Sequence, residues 1–114
     1  MTGTDVSNAL RYMRDAQKQI ASELDKPGLT REQRKLLRDT HNFLLELDKF
    51  LVIEDLNEKV NELEDRSHRL NELNQEIQKN ISRLKQVAKK MDAAAKAITG
   101  LVKSFGFPIA TTLG

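Results

Sequence analysis

The sequence predicts an all-α protein in which a helical hairpin feeds a long coiled-coil helix, assembled as an antiparallel oligomer. Charged residues make up 32% of the 114 residues and aromatic residues only 4%, a balance typical of long helices. No Gly or Pro lies between Gly28 and Gly100. Every seventh residue from Leu56 to Phe105 is large and apolar, which is the pattern of a coiled coil. We expect residues 1–114 to form a single helical domain.

The first helix is predicted at about residues 5–25. Its apolar residues recur at helical spacing on one face. They are Val6, Ala9, Leu10, Met13, Ala16, Ile20 and Leu24. Pro27 and Gly28 then place a turn at 26–29, because Pro disfavours a helical residue before it and Gly permits a left-handed exit.

Thr30 and Gln33 form a capping-box pattern, which predicts that the second helix begins at about residue 31. The Thr30 hydroxyl can accept the Gln33 backbone N–H, and the Gln33 side chain can reach back to residue 30. Because the connection is short, we expect the first helix to lie antiparallel on the first third of the second.

The second helix is predicted to be continuous over about residues 31–105, a length of about 110 Å at ~1.5 Å per residue. The heptad d positions carry Leu56, Leu63, Leu70, Ile77, Leu84, Met91, Ile98 and Phe105. An upstream stripe of Leu36, Phe43 and Phe50 lies on a different heptad position. We interpret residues 52–55 as a stutter that changes the supercoil. The alternative is a real break there.

Charge favours antiparallel pairing of this helix. Residues 46–65 contain eight acids against Lys49 and Lys59, whereas residues 83–103 contain six bases against Asp92 alone. Antiparallel pairing sets the acidic part against the basic part, and such differences add up when two orientations compete. One register pairs Val60 with Met91, Ser67 with Leu84 and Asn74 with Ile77, and it brings Glu64 near Lys85.

The predicted protein interface consists of the apolar seam and one polar residue. Its members are Leu56, Val60, Leu63, Leu70, Asn74, Ile77, Ile81, Leu84, Met91 and Ile98. A polar residue at a core position, such as Asn74, lowers stability and helps to fix alignment. We favour a homodimer or tetramer, or a complex with a helical partner protein. The alternative is a monomeric three-helix bundle whose chain turns back near residues 67–75.

The sequence contains no pattern for catalysis, cofactors or metal ions. There is no Cys, and His41 and His68 are 27 residues apart. Asp65 and His68 lie one helical turn apart, but a di-iron bundle needs two such pairs. Phosphate loops and nucleophile motifs are missing from the sequence. We expect no enzymatic activity, no cofactor and no small-molecule substrate.

The basic residues do not form a pattern for nucleic-acid binding. Those at 83–103 lie inside the heptad stripe and are diluted by Ala93, Ala94 and Ala95. A net charge of +2 is also too small to imply such a partner. We therefore expect no nucleic-acid partner.

The C-terminal segment suggests a second kind of contact. Gly106 and Pro108 are expected to end the helix, and an apolar tail follows at 106–114. The preceding segment is cationic on one side and apolar on the other, which suits a membrane interface. The residues that would make this contact are Lys96, Leu101, Val102, Phe105 and Phe107.

The function predicted from these patterns is that of a non-enzymatic coiled-coil interaction or assembly protein acting through the seam at 56–105. Two alternatives remain: a peripheral membrane protein, and a small inhibitor or chaperone completed by its partner. No cationic start followed by an apolar core marks a secretory signal, so we expect a cytoplasmic protein and leave signal-less export open.

Overall fold

The computed structural model describes the backbone of residues 2–113 and the side chains of residues 5–105. Within this part of the chain there are four helices and no strand. The helices are α1 (Thr2–Leu24), α2 (Arg31–Ile53), α3 (Val60–Asn80) and α4 (Lys85–Leu113). The predicted all-α class is confirmed, and the molecule measures 51 × 26 × 18 Å.

The helices form a four-helix bundle in which each helix packs against two neighbours. α1 lies against α2 and α4, and α3 lies against α2 and α4. Because all three connections are short, consecutive helices run antiparallel. One end of the bundle therefore carries the turns at 25–30 and 81–84. The other end carries the start of α1, the connection at 54–59 and the last part of α4.

The predicted capping box at the start of α2 is present. The Thr30 hydroxyl accepts the Gln33 N–H at 3.0 Å, and the Gln33 side-chain oxygen accepts the Thr30 N–H at 3.0 Å. Gly28 has φ +101°, the left-handed conformation that lets the chain leave α1 and enter α2. α1 ends at Leu24, close to the end that its apolar spacing indicates.

The prediction of one continuous helix over residues 31–105 is wrong, and its first interruption lies at 54–59. The buried stripe of α2 follows Leu37, Leu44 and Leu51, and its next member would be Glu58. A straight helix would therefore turn its apolar face away from the core. The chain instead leaves the helix after Ile53, and Leu56 of the connection is buried in the core. Asp55 holds the connection, because its backbone and side chain accept the N–H groups of Glu58 and Asn57.

The second interruption lies at 81–84, where the chain reverses and places α4 alongside α3. The turn that we considered at 67–75 is wrong as well, because those residues lie inside α3. No Gly or Pro marks residues 80–85. The reversal covers the apolar faces of both helices, and this burial outweighs the local preference for continued helix. At the other end of α4, the helix runs to Leu113 instead of ending near Gly106. The side chains of the predicted apolar tail, 106–114, lie outside the described residues.

The packing of α4 on α1 depends on small residues. Ala9 and Ala16 of α1 and Ala94 of α4 are fully buried. Ala97 and Gly100 line the groove beside Tyr12 of α1. Small side chains let two helix backbones approach closely, and this is the most extensive helix pair of the bundle. The alanines that dilute the basic residues in the sequence thus serve as a packing surface.

Polar contacts align α2 with its two neighbours. Arg14 of α1 donates to both carboxylate oxygens of Asp48, at 2.9 and 3.1 Å. The hydrogen bond and charge of Asp48 raise the pKa of Arg14 above its usual value. On the other side, Gln33 donates to the Asn80 carbonyl oxygen at 2.9 Å. These bonds connect residues far apart in sequence and fix how the helices lie along one another.

Two polar positions lie inside the otherwise apolar contact between α3 and α4. The hydroxyls of Ser67 and Thr99 are 3.1 Å apart, and the Thr99 hydroxyl also donates to the Ala95 carbonyl at 2.9 Å. The Asn74 side-chain nitrogen donates to the Ala88 carbonyl at 3.4 Å, a long hydrogen bond. The Asn74 side-chain oxygen is buried and has no hydrogen-bond partner. A buried amide oxygen without a partner lowers the stability of the core around it.

Replacing Thr30 by Ala removes the acceptor for the Gln33 N–H. We expect the free energy of unfolding, measured by urea titration, to fall by about 1 kcal/mol. Ser22→Ala is the control, because Ser22 is exposed within α1 and caps nothing. Equal losses in the two variants would contradict the role of the cap.

Replacing Asn74 by Leu removes the unpaired oxygen. It places an apolar side chain, somewhat larger than that of Asn, in the core. We expect the free energy of unfolding to rise by about 1 kcal/mol. Asn61→Leu on the exposed side of the same helix should change it by much less. A loss of stability in Asn74→Leu would show that the amide contributes more through its bond to Ala88 than its unpaired oxygen removes.

Candidate protein-binding surface

The ten residues of the predicted interface pack inside this one chain. Val60 is half-buried, and the other nine are buried. The side chains of α3 and α4 meet each other and the apolar faces of α1 and α2 in one core. We expected a second chain to bury the seam. The side chains that bury it come instead from the same chain, so the seam is closed within one molecule.

The antiparallel pairing of the seam has a different register from the predicted one. Ser67 lies opposite Thr99 instead of Leu84, and Asn74 lies opposite Ala88 instead of Ile77. The shift follows from the place of the turn, which lies beyond the middle of the predicted register. Glu64 and Lys85 make no ion pair within the described side chains. Neither the acidic nor the basic half of the sequence is used in bridges between α3 and α4.

The residues proposed for membrane contact belong mostly to the bundle. Leu101 is 1% exposed, and Val102 and Phe105 are half-buried against the core. Lys96 is exposed and pairs with Asp92 at 3.1 Å. The side chain of Phe107 lies outside the described residues. In the closed bundle the apolar face of α4 is therefore occupied by contacts with α1 and α3.

Among the described residues, no helix has the length and apolar character needed to cross a lipid bilayer.

The two histidines lie on different helices. His41 is half-buried on α2 and His68 is exposed on α3. Among the described residues, no three His, Asp or Glu side chains come together in a way that could hold an ion.

The exposed apolar side chains concentrate on the second half of α2. Four large apolar residues are exposed in the described part of the chain, and three of them are Leu45 (40%), Val52 (60%) and Ile53 (72%). The fourth, Tyr12 (36%), lies on α1 near α4. Val52 and Ile53 are the last two residues of α2, and they are the two most exposed of the four.

A hollow of about 290 Å³ lies at the same end of the bundle, and Leu51 and Glu54, the residues that flank Val52 and Ile53 in sequence, are part of its lining. Its apolar lining comes from all parts of this end: Val6 of α1, Leu51 of α2, Leu56 of the connection and Phe105 of α4. Glu54, Asp55 and Asn57 complete it. We call the hollow, together with exposed Val52 and Ile53, the α2-end surface. It combines an apolar depression with two projecting apolar side chains.

Acidic residues surround the α2-end surface. Glu54, Asp55 and Glu58 are exposed within the connection. Lys59 is the one base of the connection, and it lies 3.9 Å from Glu54 and 3.5 Å from Glu62. Asp55 and Glu58 have no such counter-ion among the described side chains, so the connection itself carries net negative charge.

Sequence reasoning missed the α2-end surface. Val52 and Ile53 were assigned to a stutter inside a continuous helix, and in that setting they would belong to a shifted stripe. Leu45 and Glu46, seven residues earlier on the same helix, are exposed as well, so the helical phase of α2 turns Val52 and Ile53 outward. This phase is the available signal, because neither residue continues the buried stripe of Leu44 and Leu51.

Comparison with protein-family models, with curated proteins and with solved structures gives no match for this chain.

Proposed function

We propose that this protein is a non-enzymatic interaction module that binds a partner protein through the α2-end surface. The observation that carries the proposal is the exposure of Val52 (60%) and Ile53 (72%) at the end of the bundle that also carries an apolar hollow. Two large apolar side chains thus stand in water at the end of α2. A rimmed apolar patch of this kind is typical of sites where proteins meet.

The charge around the surface defines the chemistry of the partner. Exposed carboxylates at Glu54, Asp55 and Glu58 favour a segment that carries Lys or Arg beside its apolar residues. A helix with two apolar side chains one turn apart could fill the hollow and cover Ile53. The same carboxylates disfavour an anionic lipid surface at this end, so a basic apolar peptide is the better candidate.

Assembly through the seam at 56–105 has a requirement that binding at the α2-end surface does not have. The seam is closed in the single chain, so a partner could reach it only after helices separate. The membrane alternative has the same requirement as far as its described residues are concerned, because the apolar face of α4 up to Phe105 packs against the core. Binding at the α2-end surface needs no such opening, and this is why we favour it.

The proposal can be tested with a displayed library of random helical peptides selected on the whole protein. We expect the enriched peptides to carry two apolar residues one turn apart with flanking Lys or Arg. The double variant Val52→Ser, Ile53→Ser should bind them roughly tenfold more weakly or worse, because it removes most of the exposed apolar area.

Tyr12→Ser is the matched control, since it removes an exposed apolar side chain from the face of α1 near α4. Its affinity for the selected peptides should equal that of the parent. The proposal fails if the enriched peptides are acidic, or if the double variant, with its helical circular dichroism intact, binds as the parent does.

A further inference from the structure

We propose that the turn at 81–84 is a hinge, and that its opening lets two copies of this chain exchange their α4 helices in an antiparallel dimer. The partner is a second copy of the same chain. The contact surface is the α3–α4 seam itself, and the hinge lies at the opposite end of the bundle from the α2-end surface. The two proposals rest on different observations and can fail separately.

The apolar stripe continues through the turn without a change of phase. Ile77, Leu84 and Met91 follow one another at intervals of seven residues, and Ile81 lies on the same face between them. Residues 80–85 contain neither Gly nor Pro. A continuous helix from Val60 onward would therefore keep the buried residues of α3 and α4 on one face. The connection at 54–59 differs, because there the stripe of α2 would continue on Glu58.

The turn is also close to helical in its backbone bonding. The Ile81 N–H donates to the Ile77 carbonyl as in α3, and the Ala88 N–H donates to the Leu84 carbonyl as in α4. Between them, Leu84 donates to the Ile81 carbonyl at 3.0 Å. Ile81, with φ −135° and ψ 63°, departs from helical geometry. Conversion of the turn to helix changes the backbone dihedral angles of few residues. It also moves the hydrogen bond of the Leu84 N–H from the Ile81 carbonyl to the Asn80 carbonyl.

A side chain from α2 holds the turn closed. Gln33 donates to the Asn80 carbonyl oxygen at 2.9 Å, the same oxygen to which Leu84 would donate in a continuous helix. The closed turn thus replaces a backbone bond by a bond from Gln33. Loss of this donor leaves the Asn80 carbonyl without that partner in the closed form, whereas the open form supplies one.

Exchange preserves the core of the bundle. In the dimer, α4 of one chain occupies the place of α4 in the other, so Ser67 meets Thr99 and Asn74 meets Ala88 between chains in the register seen within one chain. Each chain then contains a helix of about 80 Å over residues 60–113, at ~1.5 Å per residue. Because the buried contacts are the same in both forms, the balance depends on the hinge and on protein concentration.

The absence of Cys from the sequence allows a direct test by cross-linking. The Ser67 and Thr99 oxygens are 3.1 Å apart, within reach of a disulfide. One full-length chain carries Ser67→Cys and another carries Thr99→Cys. The two are unfolded, mixed, refolded together at a series of concentrations and oxidised. We expect a covalent dimer that contains one copy of each variant and whose share rises with concentration.

Substitutions at the hinge should change that share in opposite directions. Proline at position 82 fits the closed turn, because the Ser82 N–H makes none of the turn's backbone bonds and Ile81 is not helical. It does not fit a continuous helix. Ser82→Pro in both chains should therefore abolish the covalent dimer, while the matched Ser82→Ala retains it. Gln33→Glu keeps the capping-box acceptor but loses the donor to Asn80, so it should raise the dimer share severalfold.

The hinge is overturned if no mixed covalent dimer forms at any concentration, or if Ser82→Pro and Ser82→Ala give the same share. Light scattering behind a sizing column on the chain without introduced cysteines must show the same concentration-dependent dimer. If Ser82→Pro lowers the helical circular dichroism signal, the dimer share of Gln33→Glu is the test of the hinge instead. A dimer share above that of the parent supports the hinge, and a share at or below it overturns the hinge.

Discussion

The apolar stripe that runs through α3 and α4 is the constraint on which the rest of this structure depends. A stripe with Leu63, Leu70 and Ile77 on one helix and Met91 and Ile98 on the next cannot face water, because each such side chain gains about 2 kcal/mol on burial. It needs either a second chain or a reversal of its own. The reversal at 81–84 satisfies it within one molecule.

The rest of the bundle follows from that reversal. Once α4 lies back against α3, it also meets α1, and the small side chains of Ala94 and Ala97 let the two backbones approach. α2 then closes the fourth side through Arg14–Asp48 and Gln33–Asn80.

How far the sequence predicts this fold depends on whether the deciding signal is local. The entry into α2 was predictable, because Gly28, Thr30 and Gln33 determine it through contacts within a few residues. The turn at 81–84 was not, because Ile81, Ser82 and their neighbours have no preference that distinguishes a turn from a helix. What determines the turn is contact between helix faces that are far apart in sequence and become buried together. The heptad pattern identified most of the buried residues of α3 and α4, which pack within one chain here, and their contact with a second chain stays a prediction.

The charge pattern shows the same limit. The acidic and basic halves of the region predict antiparallel neighbours, and α3 and α4 are antiparallel. Yet the one ion pair that joins two helices in the described side chains is Arg14–Asp48, which pairs an acid of that pattern with a base of α1. Long-range charge complementarity can favour an orientation without forming bridges, and exposed pairs contribute little. The exposure of Val52 and Ile53 follows from the helical phase of α2, whereas the hollow at the same end depends on how the four helices meet, which no local pattern predicts.

Exchange of α4 would have a consequence for the α2-end surface. Phe105 lies on α4, whereas Val6, Leu51 and Leu56 belong to the part of the chain that stays in place. In the exchanged dimer each hollow therefore takes its Phe105 from the second copy and keeps its shape. The hinges meet at the centre, so the two hollows lie at the far ends of the dimer and face away from each other. A partner with two basic apolar segments could then bind both at once, and the effective concentration of its second segment would strengthen binding without any new contact. The same surface would serve a single weak partner in the monomer and a bridging partner in the dimer, with protein concentration determining which form prevails.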